Sequence, residues 1–234
     1  MGFLDRFEKG VESVANRAMS RSNNSAEPIE IASKLRETMD KQAASFSQDR
    51  AVVPNVFDIK LSSADHTRVT QWGEDEMIRQ MKEVATSHAA DQGYSFVGPV
   101  DVSFDTETSL TPPTIRIEAA TRRGAAAPAT SSKASPAHPI LDIDGQRYLL
   151  TGPVTVIGRG SEADIIVDDS GVSRRHLEVR ITQGHTIATD LGSTNGTFVE
   201  GHRVDAATLV DGNTLTIGRT QIMFWDGADT GDTE

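Results

Sequence analysis

Three stretches of the first 120 residues place apolar side chains at three- and four-residue steps, the spacing of an amphipathic helix. The first runs through Phe3, Leu4, Phe7, Val11, Val14, Ala15 and Ala18, with Asp5, Glu8, Lys9, Glu12 and Arg17 largely outside. The second begins at Pro28, a residue suited to a first helical position, and continues through Ile29, Ile31, Ala32, Leu35 and Met39. The third spans about Asp75 to Gln92, turning Met77, Ile78, Met81, Val84, Ala85 and Ala89 inward, with Gly93 as its terminator. Alternating runs at Val56–Leu61, Tyr94–Phe104 and Thr114–Ala119 predict strands. The resulting order, ααβαββ, is that of an α+β domain over 1–120.

From Ile140 the pattern changes. Short β-rich runs follow one another at Ile140–Ile143, Tyr148–Leu150, Val154–Ile157, Asp164–Val167, His176–Ile181, Thr186–Thr189, Thr197–Val199, Thr214–Ile217 and Gln221–Trp225. Turn pairs separate them: Asp144-Gly145, Gln183-Gly184, Asn195-Gly196, Glu200-Gly201 and Asp211-Gly212. Nine short strands with no helical period predict an all-β antiparallel β-sandwich over 140–225. Between the two patterns lies TRRGAAAPATSSKASPAHP, residues 121–139, with no aliphatic larger than Ala. Such a composition predicts a flexible linker. Residues 226–234 form an acidic tail.

Composition narrows the function classes. The 234 residues include no cysteine, which excludes disulfides, Cys-ligated zinc and a thiol nucleophile. The six histidines show no metal-ligand spacing, and no cofactor is expected. No apolar run approaches a membrane span and no signal pattern opens the chain, so the expected location is the cytoplasm. Net charge is −11, which opposes non-specific binding to nucleic acid or anionic lipid. No pairing of residues resembles a nucleophile with its base, so no enzyme is expected.

Three short motifs stand in order in the second domain. Gly158-Arg159 follows a strand, Ser173-Arg174-Arg175-His176 follows an acidic turn, and Asn195-Gly196 closes the run Asp190-Leu191-Gly192-Ser193-Thr194. Each alone has an ordinary reading: a hairpin turn, a solvated arginine, a core histidine. A dinucleotide loop at Gly158-Arg159-Gly160 is rejected, because a strand-like Asp164–Val167 follows where a helix is needed. Taken together, GR, S-x-x-H and NG at these spacings resemble the signature of the forkhead-associated (FHA) family over 140–225.

The resemblance implies an FHA/SMAD-like sandwich whose loops bind phosphothreonine peptides. The chemistry fits: a phosphate carries nearly two charges and three strong acceptors, and calls for a guanidinium fork with hydroxyl and amide donors. Arg159 would supply the fork, Ser173 and Thr194 hydroxyls, and Arg174 further charge. Asn195, donor and acceptor at once, would hold the peptide main chain. Gly158, His176 and Gly196 are scaffold in the family, Gly196 at a positive-φ position. The role of Arg175 stays open.

The opening GFLDRFEKGVESVANRAMS, the helix after it and the position ahead of an FHA module resemble actinobacterial FhaA-type proteins, adaptors tied to serine/threonine kinase signalling in cell-wall growth and division. That likeness implies a phosphothreonine-containing partner, one that recruits the chain to the inner face of the membrane where it is a membrane protein, and a serine/threonine kinase that modifies this chain. Thr106, Thr108, Thr111 and Thr114 are the candidate acceptors. An alternative is a self-associating or autoinhibited scaffold, its FHA domain binding a phosphothreonine on its own N-terminal domain. A nucleic-acid fold of the KH kind is disfavoured, since Gly73 is followed by Glu74, Asp75 and Glu76 where a basic Gly-x-x-Gly loop is required. A membrane-surface first helix is disfavoured too, its basic residues being nearly matched by acids.

Overall fold

The structure is a computed structural model and describes residues 25–47, 50–131, 133–183 and 185–227. The helix expected over 3–18, the Gly184 half of one turn and most of the acidic tail lie outside these residues.

The first domain is built on the strand β3 (Val56–Leu61), which alternates as expected: Phe57, Ile59 and Leu61 are fully buried. It pairs in parallel with β5 (Asp101–Thr106) and antiparallel with β6 (Arg116–Ala120). Helix α1 (Pro28–Gln42) has its proline in the first turn and lays Ile31, Leu35 and Met39 into the same core. Ile29, expected to face inward, is 61% exposed, because it sits in the first turn on the side away from the sheet. Helix α3 (Glu74–Gln92) adds Met77, Met81, Val84, Ala85 and Ala89, and ends at Gly93, which has φ 69° and an N–H shared by the Ala89 and Ala90 carbonyls. A small sheet of β1 (Ala44–Ser47), β2 (Arg50–Val52) and β4 (Tyr94–Ser95), and helix α2 (Ser63–Trp72), complete the domain.

Helix α2 has no amphipathic signal, since Val69 is its single buried apolar residue. A polar cap starts it instead. Ser62 Oγ accepts the Asp65 N–H at 3.2 Å and donates to Asp65 Oδ2 at 2.9 Å, while Asp65 Oδ1 accepts the Ala26 N–H at 3.1 Å. The order β3–α2–α3–β5 turns on Gly73, as a KH-type unit would, but Glu74, Asp75 and Glu76 fill the first turn of α3 and repel phosphate. None of the described helices is long and apolar enough to cross a membrane.

The second domain is the expected sandwich. A seven-stranded sheet, in the order β15-β14-β17-β18-β8-β9-β7, packs on a five-stranded sheet, β11-β10-β12-β13-β16. The seven-stranded sheet comprises β7 (Ala126–Pro128), β8 (Ile140–Ile143), β9 (Gln146–Leu150), β14 (Thr197–Val199), β15 (His202–Val204), β17 (Thr214–Ile217) and β18 (Thr220–Trp225). Its partner comprises β10 (Val154–Gly158), β11 (Ile165–Ile166), β12 (Leu177–Thr182), β13 (His185–Asp190) and β16 (Ala206–Leu209). Pairing is antiparallel except between β10 and β11, where Gly158 and Ile166 lie side by side in parallel strands. Leu141, Ile143, Leu215, Ile217, Ile222 and Phe224 meet Ile157, Leu177, Val179 and Leu209 in one core.

The stretch 121–139 is not a free linker in its first half. Residues 126–128 form the edge strand β7, paired with β9 through Ala127↔Leu149, and Ala126 and Ala127 are buried. Just before it, the Ala125 carbonyl accepts from Thr151 N–H, Gly152 N–H and Thr155 Oγ. On the other side the Gly124 N–H bonds the Val97 carbonyl at 2.9 Å, and Thr130 Oγ bonds the Tyr94 carbonyl at 2.6 Å. The segment is thus hydrogen-bonded to both domains. Its small side chains, which suggested an inability to fold, are what let its backbone approach two neighbours at once.

One buried side chain anchors this joint. Asn55, 0% exposed, donates from Nδ2 to the Pro99 and Arg122 carbonyls at 2.8 and 2.9 Å, and its Oδ1 accepts the Arg122 N–H at 2.8 Å. Truncation leaves three backbone groups without their partner, each costing about 1–3 kcal/mol where water cannot replace it. Asn55→Ala is therefore expected to lower unfolding stability by at least about 2 kcal/mol in urea titration. Hydrogen exchange should rise first between residues 97 and 128, not in the loops of the sandwich.

Candidate functional site

At one end of the sandwich three loops converge: 159–164 after β10, 167–176 between β11 and β12, and 191–196 between β13 and β14. Their meeting point is a cavity of about 310 Å³ lined by Arg159, Ser170, Gly171, Val172, Ser173, Arg174, Thr194 and Asn195. All five residues expected to bind the phosphopeptide line it, one or two from each loop. Arg175, on the same loop as Ser173 and Arg174, is exposed and is not among the lining residues.

His176 sits beneath the cavity, fully buried, and joins two of the loops. Its Nδ1 accepts the Ser173 N–H at 3.0 Å, which leaves the proton on Nε2, directed at the Gly196 carbonyl 3.2 Å away. The third loop is held from the backbone: Arg159 N–H bonds the Ser173 carbonyl and Gly160 N–H the Arg174 carbonyl, both at 3.0 Å. Gly158 permits that approach, since a Cβ there would lie 2.1 Å from the Arg174 carbonyl oxygen. Gly196 has φ +84°, as its motif predicts.

These contacts leave chemistry pointing outward. Ser173 Oγ accepts the Thr194 N–H at 3.1 Å, so its own proton is free to be donated. Asn195 spends one Nδ2 proton on the Gly171 carbonyl at 2.8 Å and keeps an N–H and Oδ1 on the exposed side. Arg159 and Arg174 are exposed and have no carboxylate partner among the described residues. The cavity therefore presents two unpaired guanidinium groups, the hydroxyls of Ser170, Ser173 and Thr194, and the Asn195 amide. No group of His, Asp and Glu among the described residues is arranged to hold a metal ion.

Two aspartates that shape the loops carried a signal the motif analysis passed over. Asp169, 5% exposed, accepts at Oδ1 from Gly171 N–H (2.8 Å) and at Oδ2 from Arg219 N–H (2.6 Å) and Thr220 Oγ (3.2 Å). The Gly171 and Arg219 amides hold its carboxyl down at about 2. Asp190 is opposed by desolvation, yet hydrogen bonds from Ser193 and Thr197 leave its pKa lowered. Both begin local turns, Asp-x-Gly and Asp-x-x-Ser, in which a carboxylate caps amides two or three residues on. The candidate phosphoacceptors Thr106, Thr108, Thr111 and Thr114 are all exposed, on or beside the connection between β5 and β6.

Comparison with known proteins agrees with this geometry. Residues 4–118 match the model of the FhaA N-terminal domain, and residues 155–218 match that of the FHA domain. The chain carries an FHA domain behind a domain of the FhaA N-terminal family. Among its relatives is the glycogen accumulation regulator GarA of Mycolicibacterium smegmatis, 42% identical over 88 residues, which are 38% of this chain and 56% of that one. The oxoglutarate dehydrogenase inhibitor of Corynebacterium glutamicum is 42% identical over 83 residues, 36% of this chain and 58% of the inhibitor. FhaA of Mycobacterium tuberculosis is 40% identical over 82 residues, 35% of this chain and 16% of FhaA. The matches thus span little more than half the length of the first two relatives.

The linkage at Asp169 has a defined sign. Its carboxyl is at about 2 folded against an ordinary 3.8, so its contribution is full above about pH 4 and is lost as pH falls toward 2. Asp169→Asn should lower stability at pH 7 and flatten the acid limb between pH 4 and 2. Chemical denaturation at stepped pH measures both, and parallel acid limbs in the two proteins would refute this role for Asp169.

Proposed function

We propose that this chain is a non-enzymatic adaptor that binds phosphothreonine on a partner protein through the cavity at the loop end of its FHA domain. The observation that carries the reading is the convergence of Arg159, Ser173, Arg174, Thr194 and Asn195 on one cavity with the two guanidinium groups unpaired. An exposed arginine without a carboxylate is cheap in water, and binding a phosphoryl group there gives charge-assisted bonds of roughly twice ordinary strength. Arg159 serves as the fork, Ser173 and Thr194 as hydroxyl donors, and Asn195 as the clamp on the peptide backbone.

The wider setting is serine/threonine kinase signalling, with a cell-wall or division role supported by the likeness to FhaA-type proteins. Relatives named as a regulator and an inhibitor fit a protein that acts by binding. In this reading the exposed threonines 106, 108, 111 and 114 are where a kinase modifies the first domain.

Titration of the full chain with a phosphothreonine peptide library and with phosphoserine and unphosphorylated counterparts tests the reading. Binding should be confined to phosphothreonine, and Arg159→Ala should weaken it about 10- to 100-fold, the loss of one or two charged hydrogen bonds. Equal binding by the unphosphorylated peptides, or no effect of Arg159→Ala, would overturn it.

A further inference from the structure

The loop end of the sandwich carries a reactive pair of neighbours. Asn195 lines the cavity, and glycine must follow it, because residue 196 has φ +84° and a Cβ there would lie 2.6 Å from Arg203 Nε. Of the six asparagines in the chain, Asn195 is the one followed by glycine. Such a pair is open to deamidation. With no side chain on the second residue, its backbone nitrogen has free access to the asparagine Cγ.

The reaction is a cyclisation followed by hydrolysis. Hydroxide takes the Gly196 amide proton, and the nitrogen attacks Asn195 Cγ. A new N–C bond closes a five-membered imide and the Cγ–Nδ2 bond breaks. The leaving nitrogen takes a proton from water and departs as ammonia. A further water opens the imide at either carbonyl, giving aspartate or isoaspartate. Asn195 is exposed, so water and hydroxide reach it.

The fold nevertheless holds the reacting groups apart from this path. Gly196 N–H is donated to Ser193 Oγ at 2.9 Å. Ser193 Oγ gives its own proton to Asp190 Oδ2 at 2.6 Å, and its N–H bonds Asp190 Oδ1 at 2.7 Å, which fixes the hydroxyl as an acceptor toward Gly196. The Gly196 carbonyl faces His176 Nε2 at 3.2 Å, so the glycine is held at both its amide and its carbonyl. Asn195 Nδ2, the atom that must leave, bonds the Gly171 carbonyl at 2.8 Å. Attack requires the Gly196 nitrogen to lose its proton and turn onto Cγ, and either change breaks the bond to Ser193. Ser193 itself does not line the cavity.

We propose that Asn195 is a deamidation site that the fold guards through Ser193, and that deamidation disables the cavity. The product places a carboxylate where the amide stood, in the cavity that Arg159 and Arg174 line. A carboxylate has no proton for the Gly171 carbonyl, and its charge opposes an incoming phosphoryl group. Isoaspartate adds a methylene to the backbone as well. The loss of peptide binding rests on the phosphothreonine reading above, whereas the guarded chemistry does not.

The test incubates the full chain and its Ser193→Ala variant at mildly alkaline pH, beside a synthetic peptide of residues 181–203, the fragment that trypsin releases around Asn195. Tandem mass spectrometry of that fragment follows the conversion of amide to acid at residue 195. The chain should convert about tenfold more slowly than the peptide, since two hydrogen bonds must break first. Ser193→Ala should convert about three- to tenfold faster than the unsubstituted chain, the worth of one such bond. Ser193→Thr, which keeps the hydroxyl, should restore the slow rate. Asn55→Ala, which weakens the joint and not the loops, should leave that rate unchanged. Equal rates in chain and peptide, or in the chain and Ser193→Ala, would overturn the proposal. So would an equal acceleration by Asn55→Ala, which would make general loosening the cause. The converted chain, separated by its added charge, should bind phosphothreonine peptides about tenfold more weakly, and undiminished binding would overturn the second half of the proposal. Absence of binding by the unconverted chain would instead remove the phosphothreonine reading and leave the guarded deamidation standing.

Discussion

The loop end of the sandwich hangs from the imidazole of His176. A neutral imidazole has one donor and one acceptor at fixed angles, and burial demands that both be used. Here the acceptor takes the Ser173 amide and the donor meets the Gly196 carbonyl, so the two loops that leave the paired ends of β12 and β13 stay in register beyond the Leu177↔Asp190 rung. Asp190 adds a third arm by binding Ser193 and Thr197 on the Gly196 side. With the backbone of the third loop lying on Ser173 and Arg174, the outward faces of all three loops follow from one buried ring. The groups that face solvent need no support of their own, which is why a cavity of exposed arginines can be well placed.

The same rule, that a buried polar group must be satisfied from several directions, joins the two domains. Asn55 is to residues 99–122 what His176 is to the loops, a fully buried side chain with every polar atom used, here in three hydrogen bonds. Beyond it the backbone of 124–128 is bonded on one side to the first domain and on the other to β9 and β10. Alanine and glycine at 124–127 carry almost no hydrophobic free energy, so this joint depends on backbone hydrogen bonds and close approach.

That difference explains what could be foreseen from the sequence. Elements whose identity rests on apolar periodicity were legible almost to the residue: β3, β8, β14, β17 and helix α3 from Glu74 to Gln92. Elements that rest on polar caps or edge pairing were not. Helix α2 begins on Ser62 and Asp65 with one buried aliphatic, β15 and β16 are short and largely exposed, and β7 lay inside a stretch that composition assigned to a linker. The site divides the same way. Arg159, Ser173, Arg174, Thr194 and Asn195 were found because three motifs fell in order. Asp169 and Asp190 were not, since a turn carboxylate has no meaning until the fold brings onto it donors from neighbouring segments, as Arg219 N–H comes to Asp169 and Thr197 Oγ to Asp190.

Charge behaves differently at the two scales of this molecule. The whole chain is at −11, so a phosphopeptide approaching from afar meets a repulsive field. At physiological ionic strength that field decays over a Debye length of about 8 Å, while the guanidinium groups at the cavity act in contact. If the ligand is a phosphopeptide, as proposed, long-range steering does not select it, and discrimination is expected in the dissociation rate once the peptide is seated. A surplus of acid over the rest of the surface then has a use: it discourages nucleic acid and other polyanions, which bind by long-range attraction. On the phosphothreonine reading, a single phosphorylated segment that fits the loops is still accepted. On the same reading, specificity for a small, doubly charged group follows from two unpaired arginines, Arg159 and Arg174, meeting at one end of the sandwich.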